Sequence, residues 1–171
     1  RRSADLLGYA GRGFTSQYSD QTLTWERDLE SLRTILQSCL EDRPSAANWG
    51  VLLEFSIPRK ESRIDIVLLI GNRIVILETK SGSVFQQARR QIEEYALLLH
   101  YFHSGSAERH IVSILVSPSS DPPSLNGLRQ MGMFPQVARY WISDIVQSSW
   151  NFLSKILLLL ADESGPQIDV E

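Results

Sequence analysis

Cysteine is almost absent. Cys39 is the only one in the chain, which excludes an internal disulfide framework and a cysteine-based zinc site. A lone thiol fits a reducing compartment, so a cytoplasmic protein is expected. Histidine is scarce as well. His100, His103 and His110 lack a metal-ligand spacing, and the first two read as packing at a helix end. Long apolar runs are missing: Ile156 to Ala161 falls far short of the ~20 residues that span a bilayer, so no membrane partner is expected. No basic n-region followed by an apolar h-region opens the sequence, so no secretory signal is expected. Internal repeats and low-complexity segments are lacking. Neither sign of charge dominates: 17 Lys+Arg stand against 20 Asp+Glu, a net charge of -3. Taken as a whole-chain quantity, that charge discourages a nucleic-acid partner.

What is present is an ordinary globular composition on 171 residues, the length of one domain with a real core. Residues 1–23 are polar and glycine-bearing and read as a poorly packed segment holding one short helix at most. From Trp25 the apolar period is helical through Leu29, Leu32 and Leu36, with Thr24 as N-cap and Arg43-Pro44-Ser45 as the stop. Strands are predicted over Trp49–Ile57, Arg63–Ile70 and Arg73–Lys80. The last two are separated by Gly71-Asn72, a two-residue hairpin signal. Phe85–Phe102 reads as a long helix and Ile111–Val116 as a strand buried on both faces. Ser117–Leu125, rich in proline, is a loop. A further strand is expected over Val137–Ile142, and a helix over Asp144–Ala161, capped by Ser143. Its stripe of Trp150, Leu153, Leu157 and Leu160 reads as core, as does Cys39. The expected architecture is α/β, a mixed central sheet flanked by helices in the order α–βββ–α–β. Residues 24–162 would form the domain. Residues 163–171 read as a linker to a further domain.

The hairpin carries the chemistry. A two-residue turn pairs Ile70 with Arg73, and the same register sets Asp65 opposite Glu78. Opposed residues have Cβ atoms roughly 4.5–5.5 Å apart, and like charges there repel. Ile64, Ile66, Ile76 and Leu77 around them are apolar. A shared proton or a hard divalent cation would offset the repulsion. Side chains alternate along a strand, so Lys80 lies on the face of Glu78. The competing reading is an ion pair that merely holds the hairpin. Charges on strands that otherwise read Ile-Val-Leu break the local pattern, as functional sites do.

Asp65 followed by Glu78-Thr79-Lys80 resembles the D…(D/E)xK signature of the PD-(D/E)xK nuclease superfamily, whose core is restriction-endonuclease-like. Gln91 and Tyr95 resemble the QxxxY element of its RecB-like and Cas4-like branch. The string WGVLLEFSIPRKESRIDIVLLIGNRIVILETKSG, then QARRQIEEYALLLHYFH and HIVSILVSP, is similar to the N-terminal nuclease-like domain of bacterial proteins carrying a DUF2075-type, Schlafen-like helicase. Thr79 departs from that pattern, where an aromatic is commoner. No G-x-x-x-x-G-K-[ST] string occurs, so a partner ATPase would lie beyond Glu171.

The resemblance implies metal-dependent phosphodiester cleavage, with DNA the favoured substrate. Asp65, Glu78 and the Thr79 carbonyl would hold Mg²⁺ or Mn²⁺. Lys80 would position or deprotonate the attacking water and stabilise the transition state. Gln91 would orient that water or Lys80, with Tyr95 buttressing it. Glu54 is a candidate to complete the acidic cluster, against a surface carboxylate as the competing reading. Glu26 and Glu30 are candidates for the acidic residue that many members place on the first helix, against a solvated face. Arg59, Lys60 and Arg63 on one side, and Arg89 and Arg90 on the other, would grip phosphates. The alternative reading is a nucleic-acid-binding module of this fold with weak or no cleavage. A divalent ion at Asp65 and Glu78 would reverse the local sign of charge, which makes the net charge a poor guide.

Overall fold

In a computed structural model, the structure describes residues 12–57, 62–80, 85–106, 108–117 and 145–162. The chain forms two compact units, Arg1–Thr34 and Ile35–Glu171. Helix α1, Arg12–Asp42, runs across that division. The sheet and the helices against it belong to the second unit.

Helix α1 corrects the expectation for the N-terminal segment. It already includes residues 12–23, and Thr24 is an interior residue rather than its cap. Nothing in that stretch forbids a helix: it contains no proline. Extending a formed helix costs far less than nucleating one. Ser31 and Thr34 bond back to the carbonyls of Arg27 and Glu30, at 2.9 and 3.0 Å. A short 3-10 turn, Pro44–Asn48, follows with proline at its start.

The sheet has five strands in the order β1-β2-β3-β4-β5: β1 Gly50–Ser56, β2 Arg63–Ile70, β3 Arg73–Thr79, β4 His110–Val116 and β5 Val146–Ser148. The first three pair antiparallel, whereas β3–β4 and β4–β5 are parallel. The mixed α/β architecture is therefore as expected. Ile70 pairs with Arg73 across the hairpin. Gly71 has φ 58°, the left-handed value that a two-residue hairpin turn asks of its first residue and that glycine adopts without strain.

Helix α2, Phe85–Phe102, lays Ala88, Ile92, Tyr95, Ala96 and Leu99 against Val67, Leu69, Ile74, Ile76, Ile111 and Leu115. The alternate strand residues, such as Leu68, Val75, Val112 and Ile114, are fully or almost fully buried as well, as a sheet covered on both faces requires. Helix α3, Trp150–Asp162, packs against β2 and buries Leu153, Leu157 and Leu160. Cys39 is wholly buried, with its sulfur 3.8 Å from the Ser154 carbonyl. Burial, then the charge of Asp42, pushes its thiol up to about 11.

The helix expected from Asp144 begins later. Val146–Ser148 is a strand, because Val146 and Gln147 find partners in Ile114 and Leu115 of β4. The strand expected over 137–142 lies outside the described residues. Among the described residues no helix is long and apolar enough to cross a membrane.

Candidate active site

The β2–β3 ladder runs from Ile70–Arg73 to Ile66–Leu77. The next step in that register is Asp65 and Glu78, just past the last paired residues. On its other side β3 remains paired. Glu78 aligns with Leu115, Thr79 with Val116, and the Lys80 N–H donates to the Val116 carbonyl at 3.1 Å. Strand β4 thus fixes the backbone that carries Glu78 and Lys80, where the ladder to β2 has ended.

Glu78 is 1% exposed. Lys80 Nζ lies 2.9 Å from its Oε1, with the lysine side chain one-third exposed. The contact is an ion pair by distance, but neither carboxylate oxygen meets hydrogen-bond geometry with a described residue. Burial pushes the Glu78 carboxyl above its ordinary value, the Lys80 charge opposes that, and Asp65 adds to it. Burial alone would lower Lys80. The negative charges of Glu78 and Asp65 outweigh it, and the net shift is upward. Asp65 itself is half-buried.

Helix α2 supplies the other wall. Gln91 Nε2 donates to the Tyr95 hydroxyl at 2.5 Å, the i,i+4 spacing of one helix face. Tyr95 is 3% exposed. Burial raises its hydroxyl, Gln91 and Lys80 oppose that, and the charges of Glu78 and Asp65 add to it. Asp65, Glu78, Lys80, Gln91 and Tyr95 thus form one electrostatic neighbourhood.

The remaining candidates fall elsewhere. Glu54 is exposed, has φ 50°, and places Oε2 3.0 Å from Arg63 Nη1. Among the described residues no group of three or more His, Cys, Asp or Glu side chains is arranged around a metal position, so the acids brought together are Asp65 and Glu78. Arg89 faces Glu93 at 3.4 Å, and Arg90 is exposed. Glu26 and Glu30 are exposed on α1, in the first compact unit. Arg59 and Lys60 lie outside the described residues. Thr79 is half-buried at the end of β3.

Sequence reasoning missed Ser113. It is buried on β4 beside Ile76, and its Oγ has no hydrogen-bond partner among the described residues. The signal was available: it is the lone hydroxyl inside an apolar strand.

The donor set suits a hard divalent cation. Two carboxylates, one of them buried with an oxygen that has no hydrogen-bond partner among the described residues, are oxygen donors of the kind such an ion takes. Mg²⁺ characteristically binds through one or two carboxylates and keeps several waters.

No family model and no curated protein matches the chain. Among solved structures, a repair endonuclease from Pyrococcus abyssi aligns over 68% of this chain and 45% of its own, at 16% identity and a TM-score of 0.35. An EndoMS–dsDNA2 complex aligns over 68% and 42%, at 17% identity and a TM-score of 0.33. The chain spans less than half the length of either.

Proposed function

We propose that this chain is a metal-dependent nuclease domain that hydrolyses phosphodiester bonds, with DNA the favoured substrate, working in the cytoplasm beside a helicase-type ATPase. The observation that carries the reading is the buried Glu78 carboxylate, set one step past the β2–β3 ladder beside Asp65 and Lys80. A carboxylate buried beside a second one is costly to maintain. Lys80 offsets only part of that cost, since Glu78 still titrates above its ordinary range.

Asp65 and Glu78 would hold Mg²⁺ or Mn²⁺, with the Thr79 carbonyl as a further ligand. The bound ion supplies neutralisation of the phosphate and a water of lowered pKa. Lys80 is held as a cation by its carboxylate neighbours. It is therefore suited to stabilise negative charge growing on phosphate oxygens. Gln91, fixed by Tyr95, orients a water or the lysine. Arg89, Arg90 and Arg63, with Arg59 and Lys60, would contact phosphates outside the site.

One observation favours the second reading, a nucleic-acid-binding module with weak cleavage. Glu54, the candidate third acid, is engaged by Arg63. Incubation with plasmid and single-stranded DNA, with and without Mn²⁺, separates the two. Metal-dependent cutting abolished by Asp65→Ala and by Lys80→Ala supports the nuclease. Binding without cutting supports the module.

A further inference from the structure

Continuing the β1–β2 register past Leu53–Ile66 brings Glu54 level with Asp65, and the β2–β3 register brings Asp65 level with Glu78. Regular strands would line up three carboxylates across three strands. The structure breaks that row at Glu54. Its φ of 50° is left-handed, a conformation that glycine adopts freely and that strains a glutamate. Pairing resumes at Phe55–Ile64. A single strand residue is thus rotated out of pattern, and its carboxylate meets the Arg63 guanidinium at 3.0 Å.

That ion pair is poorly suited to a structural role. Its side chains are 60% and 58% exposed, and solvent-exposed pairs add little to stability. What the pair does is neutralise Arg63, two residues before Asp65 on β2. A guanidinium there is placed for an anionic backbone approaching the acidic pair, and it binds phosphate and carboxylate with the same planar fork.

The geometry points to Glu54 as a built-in competitor for substrate phosphate. It occupies Arg63 in the free protein and is displaced when a nucleic-acid phosphate takes its place. Glu54 is thus a positioning residue acting through Arg63, a role that rests on the nuclease reading above. The left-handed backbone at Glu54 accompanies an exposed carboxylate that rests on Arg63.

The test is fluorescence anisotropy of a labelled DNA oligonucleotide in EDTA at several salt concentrations. It uses the full chain as wild type, Glu54→Gln, Glu54→Gly, Arg63→Ala and the Glu54→Gln/Arg63→Ala double variant. Releasing an exposed ion pair should tighten binding by about two- to five-fold in both Glu54 variants. It should also steepen the salt dependence by about one ion. Arg63→Ala should weaken binding, and adding Glu54→Gln to it should change nothing. Glycine accepts φ 50°, so Glu54→Gly should melt no lower than wild type, which separates the charge effect from a folding defect. Wild-type affinity and salt slope in Glu54→Gln overturn the competitor role and leave the nuclease reading standing. Weaker binding in Glu54→Gln with intact Arg63 also overturns it. No salt-dependent binding by any variant overturns the competitor role alone: without a divalent ion the acidic pair repels phosphate, and Mn²⁺-dependent cutting still decides the nuclease reading.

Discussion

The Lys80 ammonium stands 2.9 Å from a Glu78 carboxylate that is 1% exposed. The two residues are i and i+2, with Lys80 one residue past the end of β3, and their side chains meet on one side of the chain. The carboxylate is buried, whereas the ammonium is one-third exposed and reaches water. That asymmetry governs how the pair responds to change.

Removing the lysine should cost more than removing the charge of the glutamate. Lys80→Ala leaves a buried carboxylate without its counter-charge, a loss of about 1–3 kcal/mol at neutral pH. Glu78→Gln leaves a lysine that water can solvate and should cost less. Urea unfolding of both variants in EDTA makes the comparison.

The pH dependence follows from the sign of the Glu78 shift. Its carboxyl titrates above 4.5 in the folded chain, so the folded state holds that proton more tightly than the unfolded one. This contribution to stability is fully present below 4.5 and is lost as pH rises through the raised value. Stability of the wild type minus that of Glu78→Gln should therefore fall as pH rises from 4 toward neutrality in EDTA. A difference that grows over this window would contradict the burial-driven shift.

Tyr95→Phe removes one hydroxyl and leaves the buried ring. Gln91 then loses its partner at 2.5 Å. The expected stability cost is about 1 kcal/mol, with a larger proportional fall in cleavage rate than in DNA affinity. Equal falls in the two would assign Tyr95 to binding instead.

Far from the site, Arg73 is 6% exposed and donates from Nη1 to the Leu160 carbonyl. That carbonyl belongs to the last turn of α3, whose acceptors have no partner within the helix. Arg73→Ala should destabilise by about 1–3 kcal/mol, and Arg73→Lys should recover part of it. Thermal melting of the two variants checks both.

Much of this was legible because strand registers propagate. Gly71-Asn72 fixed the hairpin, and every pair from Ile70–Arg73 to Ile66–Leu77 follows from it. The site's neighbourhood was readable one step further on, and the apolar stripe of α2 set Gln91 and Tyr95 over it. What escaped reading depended on tertiary choices. Residues 146–148 resemble the start of a helix until β4 offers Ile114 and Leu115 as partners. Residues 12–23 carry weak helix signals and are helical by continuation. Glu54 was unreadable in kind. Glutamate gives no left-handed signal, so its turn toward Arg63 depends on the surrounding structure rather than on its own preference.

If Asp65 and Glu78 hold the ion of a metal-dependent cleavage site, both must be needed for cutting. The test is the single-turnover rate of cutting of a labelled DNA in Mn²⁺ against EDTA, for wild type, Asp65→Asn and Glu78→Gln, with folding of each verified by circular dichroism. The wild type should cleave only with Mn²⁺, and both variants should lose at least about a hundred-fold in rate. Cleavage that persists in EDTA, or survives either substitution in a folded protein, would contradict that site.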